Sequence, residues 1–351
     1  MPLLIATDEA GYGPRLGPLV IVATAWRLPH TATPESVHER LSQAVPVEPY
    51  GRLQIDDSKR LFVRKPSKQR AVPQPAILDV LTDAAASWAA MPLPSADYRQ
   101  WLTQLAPDDF VALGQQPWFT ALVTPSPHQD ASASSAPQPH HAHPASAKPD
   151  CVAANISQSL IHHWSSGGIQ LAGIAARVID VASFNALLDS FSNKAELLSH
   201  LTCQLALKLR RQHAGSERAW IFSDRHGGRA YYGSLLQHHC PDWNLRVLHE
   251  SPRQSCYHLS AAGDDTSSSG EIEWSFTVGG DRFAPVALSS IIAKATREQL
   301  MQRFNAYFQA EAVQPLRPTA GYAVDAERFL HDIQEIRTRR ALSDGILIRR
   351  R

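Results

Sequence analysis

The stretch Leu3-Leu4-Ile5-Ala6-Thr7-Asp8-Glu9-Ala10-Gly11-Tyr12-Gly13, followed by Gly17-Pro18-Leu19-Val20-Ile21-Val22-Ala23, decides the fold. Two apolar, β-branched runs flank a Gly/Pro-rich turn, the pattern of paired strands near the centre of a sheet. The first run ends in acid. The same arrangement recurs twice: Trp220-Ile221-Phe222 leads into Ser223-Asp224, and the alternating run Ile272, Trp274, Phe276, Val278 leads into Gly279-Gly280-Asp281. In an open α/β sheet the crevice at strand ends is the usual ligand site.

Carboxylates converging there repel one another and raise each other's pKa unless a cation lies among them. An oxygen-only cluster suits Mg²⁺ or Mn²⁺, and two such ions form the known clamp for in-line phosphodiester displacement. Taken singly, an acid after a strand is an ordinary turn residue or helix cap. Neighbouring strand residues also point to opposite faces, so Asp8 and Glu9 serve one site only if the strand ends there, an end that Gly11 and Gly13 favour.

Composition bounds the rest. The chain has 351 residues, 44% hydrophobic, with 34 Lys plus Arg against 33 Asp plus Glu and a formal charge of +1. That excludes a strongly basic coat and an acidic solvating chain, and it leaves enough apolar surface for a sizeable core. Cys151, Cys203, Cys240 and Cys256 form no CxxC pair, which argues against a disulfide scaffold or thiolate zinc site and fits a reducing compartment. Met1–Thr7 has no basic region of a signal peptide, and Leu16–Trp26 is too short to span a bilayer. The expected protein is cytoplasmic, with no membrane association and no evident protein partner.

Further along, Asp56-Asp57 open the most basic window of the N-terminal part, from Lys59 to Arg70, which reads as a phosphate-tracking patch or an ordinary solvated face. Residues 74–110 carry helical Ala/Leu patterns. From about 124 to 150 the chain turns to Pro, Ser, Ala and His, a composition that cannot build a core. Ile169–Val181 reads as strand, Lys194–Arg211 as a helix with leucines every fourth residue, and Leu245–Leu248 as a short strand. A long helix runs from Pro285 to about Gln309, and another from Ala326 to Arg340. Arg349–Arg351 read as a disordered basic tail.

Asp8-Glu9-Ala10-Gly11-Tyr12-Gly13-Pro14 resembles the opening signature of the ribonuclease HII (type 2 ribonuclease H) family. Asp56-Asp57-Ser58-Lys59-Arg60-Leu61, Asp224 at its strand end, Asp281 with Ser289–Glu298 behind it, and Gly321-Tyr322 match further blocks in order. The resemblance implies an α/β, RNase H-like mixed five-stranded sheet flanked by helices, with a helical C-terminal extension and a long insertion containing a disordered linker. The implied division is a catalytic domain in 1–65 and 168–340, a helical insertion in 66–123, a linker in 124–150 and a basic tail in 341–351.

The resemblance also implies Mg²⁺- or Mn²⁺-dependent cleavage of RNA in RNA–DNA hybrids, or at ribonucleotides embedded in DNA. Asp8, Glu9, Asp224 and Asp281 would be the metal ligands and catalytic residues. Gly11, Tyr12 and Gly13 would sense the ribose 2′-hydroxyl, and Tyr322 would pack on the sugar at the junction. Two departures stand out: Tyr12 replaces the arginine of the family's Gly-Arg-Gly turn, and Asp224-Arg225-His226-Gly227-Gly228-Arg229 replaces its Asp-Gly.

Among secondary residues, Arg225, His226 and Arg229 either contact phosphate, with His226 shuttling a proton, or form a solvated turn that offsets the acids' charge. Ser58, Lys59 and Lys294 complete the expected substrate-binding set. Two rivals remain: a nuclease of the same fold acting on DNA or a structured substrate, favoured by Tyr12 and the altered third-acid loop, and a non-catalytic nucleic-acid-binding scaffold, disfavoured by the presence of all four acids.

Overall fold

In the computed structural model the stretch that decided the fold forms two central strands, β1 (Leu3–Ala10) and β2 (Leu19–Arg27). They pair antiparallel, with Leu3 opposite Arg27 and Asp8 opposite Val22. The structure describes residues 1–48, 50–57, 61, 74–123, 149–213, 217–261 and 270–350. The remaining strands are β3 (Val45–Val47), β4 (Gly51–Leu53), β5 (Gln170–Ile179), β6 (Ala219–Asp224), β7 (Trp243–Glu250), β8 (Gln254–Ala261) and β9 (Ile272–Thr277). Strands β3 and β4 form a small separate hairpin, and the other seven make one mixed sheet in the order β5-β2-β1-β6-β9-β8-β7.

Both pairings that matter for the acids are parallel: β1 with β6, and β6 with β9. Parallel neighbours present the same end together, so the carboxyl ends of β1, β6 and β9 lie side by side. The expected five strands become seven because the β7–β8 hairpin adds to β9. Strand β8 alternates Ser255, Tyr257 and Leu259 inward against half-exposed partners, a polar-looking run that pattern reading passes over. Strand β7 is an open edge whose Arg246, His249 and Glu250 discourage further strand pairing.

Strand alternation sends Leu4, Ala6 and Ala10 of β1 to one core layer and Leu3 and Ile5 to the other. The first layer packs on the long helix Ala284–Glu311, which Pro285 opens at its first turn. The second packs on Lys194–His213, where the four-residue leucine spacing buries Leu197, Leu201, Leu205 and Leu209. Helices from residues 74–105 also enter the first layer: Leu78 and Leu81 from Gln74–Trp88, and Trp101 and Leu102 from Tyr98–Leu105.

Buried hydroxyls pin the central strands. Ser289 Oγ donates to the Ala6 carbonyl at 2.9 Å, and Thr24 Oγ1 lies 3.1 Å from Ser289 Oγ. On the opposite face Thr7 Oγ1 donates to Ser223 Oγ at 2.7 Å, and Trp274 Nε1 donates to the same oxygen at 3.1 Å. These three residues belong to β1, β6 and β9, and two of them immediately precede Asp8 and Asp224.

Two terminal expectations need correction. The helix expected over 326–340 is interrupted at Ile333, giving Ala323–Asp332 and Gln334–Arg339. The tail, expected to be disordered, is docked: a short helix, Asp344–Leu347, precedes Arg349, which is buried against Phe184. The Asn185 side-chain amide donates to the carbonyls of Gly345 and Ile348 and accepts from the Arg350 N–H, which satisfies the tail's backbone. The low-complexity stretch was expected to reach residue 150, but a helix begins at Pro149; residues 124–148 lie outside the described residues.

Replacing Ser223 with Ala leaves the Thr7 hydroxyl and the Trp274 indole N–H without their acceptor. Urea unfolding is expected to show a loss of about 2 kcal/mol, the cost of orphaning buried donors. A loss below about 0.5 kcal/mol would remove the network from the account of how the strand ends are held.

Candidate active site

Asp8 lies on the face of β1 that carries Leu4 and Ala6, and Asp224 ends β6 on the face of Trp220 and Phe222; both faces look toward the long helix. Parallel pairing runs to Thr7 opposite Ser223, so Asp8 and Asp224 are the next residues on neighbouring strands. Asp281 arrives from a single 3-10 turn, Gly280–Arg282, between β9 and the long helix. That turn requires glycine twice. Gly279 adopts a left-handed φ of 67°, and a Cβ on Gly280 would meet the Asp224 Cα at 3.0 Å. The close approach lets the Gly280 N–H donate to Asp224 Oδ1 at 2.9 Å.

The three aspartates form one electrostatic unit. Asp8 is 7% exposed and Asp281 4%. Burial first, then the negative charges of Asp224 and Asp281, push the Asp8 carboxyl up to about 7, against the opposing hydrogen bonds from Ser290 and the Glu9 N–H. The Glu9 N–H bond to Asp8 Oδ1 measures 2.8 Å. Ser290 is a site residue that sequence reading did not single out. Its signal is spacing: Ser290 and Lys294 are four apart, so they share one face of the long helix.

Strand β1 does not end at Asp8; it continues to Ala10, so Glu9 leaves on the opposite face. There its charge, after burial, helps raise the pKa of Tyr12. Strand β6 has already stopped at Asp224, which leaves this last part of β1 paired only with β2.

The turn after β1 meets the expected Gly-Tyr element. Gly11 has φ +86°, and a Cβ there would run into the Arg297 Nε at 2.4 Å and the Pro18 carbonyl at 2.6 Å. Arg297 is buried and donates to the carbonyls of Pro18, Leu16 and Ala320. The N–H groups of Arg15 and Leu16 donate to the Gly321 carbonyl. Gly13 thereby faces the Tyr322 ring, 3.9 Å from where its Cβ would be. Tyr12 turns away: its hydroxyl lies over Gly227, and Lys194 Nζ stands 5.0 Å above its ring. Lys194 is a second residue the sequence reading missed.

The basic loop is placed differently from expectation. His226 is 1% exposed, its Nδ1 is 3.1 Å from Ser199 Oγ, and its N–H donates to the Tyr232 hydroxyl. Burial, and then the Arg229 charge, push its imidazole down to about 3. A neutral side chain sealed in the core offers no charge to a phosphate, which corrects the expected phosphate contact and proton shuttle. Arg225 donates to the carbonyls of Arg229 and Pro252, tying the loop to the turn between β7 and β8. Arg229 lies 5.9 Å over the Tyr232 ring. Ser58, Lys59 and most of the basic window lie outside the described residues.

Among the described residues no three His, Cys, Asp or Glu side chains are already gathered at metal-binding distance. The oxygens of Asp8 and Asp224 are instead engaged by Ser290, Glu9 and Gly280 N–H and O–H donors. The donor set nevertheless fits Mg²⁺ or Mn²⁺: all oxygen and anionic, the donors that hard divalent cations prefer. No helix among the described residues is long and apolar enough to cross a membrane.

No protein-family model matches the sequence, and no curated protein does. Solved structures similar to the chain include ribonuclease HII of Archaeoglobus fulgidus, in a complex with PCNA, at 11% identity and a TM-score of 0.40, covering 99% of this chain and 94% of that one. Ribonuclease H2 of Pyrococcus horikoshii is similar at 12% identity and a TM-score of 0.44, covering 98% and 92%. Ribonuclease HIII (Bst) in complex with Mn²⁺ is similar at 12% identity and a TM-score of 0.35, covering 99% and 65%.

A folded-state Asp8 pKa near 7, against 3.8 for the free side chain, means the native state holds the proton more tightly than the unfolded chain. This group's stabilisation is complete below about pH 4 and is lost as pH rises through about 7. A divalent ion that binds the carboxylate form restores it. Mn²⁺ is therefore expected to raise the melting temperature more at pH 8 than at pH 5, and Asp8→Asn is expected to abolish the difference. Equal shifts at the two pH values would count against metal binding at Asp8.

Proposed function

We propose that this chain is a divalent-metal-dependent endonuclease of ribonuclease H type, hydrolysing the RNA strand of RNA–DNA hybrids or cutting at ribonucleotides embedded in DNA. The observation that carries the reading is that Asp8 and Asp224, at neighbouring strand ends, and Asp281, in the turn after β9, interact closely enough that burial and their charges push Asp8 to about 7. A purely structural turn does not need a buried Asp8 and a buried Asp281 beside Asp224.

Asp8, Asp224 and Asp281 would hold the ions; Glu9, on the opposite face of β1 beside Tyr12, stands apart from that trio. Bound divalent ions supply a water nucleophile at neutral pH and counter-charge for the leaving oxygen. The chain's own groups position the ligands. Ser290 and the Glu9 N–H fix the Asp8 carboxyl, and the Gly280 N–H fixes that of Asp224. Lys294, one helical turn beyond Ser290, would neutralise phosphate. The Gly11–Gly13 turn and Tyr322 would read the sugar, since backbone amides reach a 2′-hydroxyl closely only where no Cβ intervenes. Lys194 above Tyr12 supplies a cation beside the position where the resembled family carries arginine.

Asp8→Asn and Asp224→Asn are each expected to lower turnover by on the order of 10³-fold, about 4 kcal/mol of barrier, without loss of fold. The assay compares a hybrid, an all-DNA duplex and a DNA duplex holding one ribonucleotide, each with Mg²⁺ and with Mn²⁺. Cleavage of the all-DNA duplex alone would favour the DNA-nuclease reading that Tyr12 raises. Full activity in either variant would refute the assignment of the site.

A further inference from the structure

Arg349 has a charge that nothing among the described residues answers. It is 3% exposed, its guanidinium carbon lies 5.2 Å over the Phe184 ring, and Nε, Nη1 and Nη2 all lack a hydrogen-bond partner. Among the described residues no other arginine has all its side-chain nitrogens buried and unmet. Its charged neighbour is a second buried cation, Arg297. Burial first, and then that neighbour, push Arg349 down to about 9. A desolvated guanidinium is costly unless an anion pairs with it.

Arg349 lines a groove of about 540 Å³ together with Arg15, Asp189, Asp344 and Arg350. The other charges there are spent: Arg15 pairs with Glu327, Arg350 with Asp189, and Asp344 with Arg337. The backbone around Arg349 is fixed on both sides, by Asn185 at Ile348 and Arg350 and by the Arg349 N–H donating to the Arg15 carbonyl. Arg349 lines the groove while its guanidinium nitrogens lie buried beneath it, so a phosphate meets them only if the side chain swings outward. Arg15 also anchors to Gly321, so the groove borders the turn where Gly13 meets Tyr322.

We propose that Arg349, backed by Arg297, is a docking point for a backbone phosphate of the bound nucleic acid, contributed by the C-terminal tail beside the Gly13–Tyr322 contact. The proposal rests on the nuclease reading, which is what brings a polyanion to that turn. Phosphate suits the position because its oxygens accept a guanidinium's parallel N–H pair, which an ammonium cannot offer. A backbone contact carries no base information, so it acts on affinity and register equally for hybrid and DNA duplexes.

The test is Arg349→Met, which keeps the aliphatic bulk and removes the charge, with Arg349→Lys beside it. Affinities for a hybrid and for the matching DNA duplex are read by fluorescence anisotropy over a salt series without divalent ions. The Met variant is expected to bind each duplex about tenfold more weakly, with a salt slope shallower by about one, and the Lys variant to recover part of the loss. Its melting temperature is expected to hold or rise, because a buried unpaired charge has gone. Unchanged affinity and slope in Arg349→Met would overturn the proposal. So would equal weakening in both variants accompanied by a lowered melting temperature, which would make Arg349 a fastening of the tail. A wild type that binds neither duplex would refute the nuclease reading and this contact with it; binding by the wild type beside an unaffected Met variant would refute the contact alone.

Discussion

Repulsion among aspartates brought to neighbouring strand ends is the constraint that shapes this molecule. Asp8, Asp224 and Asp281 come from segments more than two hundred residues apart at the extremes, and parallel pairing of β1, β6 and β9 forces their strand ends together. Hydrophobic burial alone would never gather them, because desolvating a carboxylate beside another costs free energy. The fold holds them by placing a hydroxyl network, Thr7–Ser223–Trp274, directly behind, and by using two glycines to bring the Asp281 turn against β6. The long helix contributes Ser290 from the front.

Most of this was legible in the sequence because it depends on short-range pattern. Strand periodicity ending in acid marked β1, β6 and β9, and leucines every fourth residue marked the helix behind them. What was not legible depends on partners far along the chain. His226 reads as a phosphate contact or part of a solvated basic turn until Ser199 and Tyr232 enclose it. Arg349 reads as tail until Phe184, Asn185 and Arg15 supply its surroundings. The β7–β8 hairpin was half seen, because β8 mixes inward Tyr257 and Leu259 with polar residues that alternation alone does not separate from a loop.

The turn after β1 shows how a local departure is absorbed. Tyr12 places no charge between Gly11 and Gly13; its ring packs toward Gly227 and lies beneath Lys194. The two glycines keep the backbone geometry, enforced by Arg297 on one side and Tyr322 on the other. Sequence identity at the turn's centre is thus separable from its shape, and the shape is what the neighbouring acids and Tyr322 depend on.

The central claim, that the three aspartates form a site for divalent cations, is tested most directly by Mn²⁺ calorimetry at pH 6 in two buffers of different ionisation enthalpy. With Asp8 titrating near 7, binding is expected to release about one proton, and the release is expected to vanish in Asp8→Asn. Mn²⁺ uptake with no proton release, or no uptake at millimolar metal, would contradict the account.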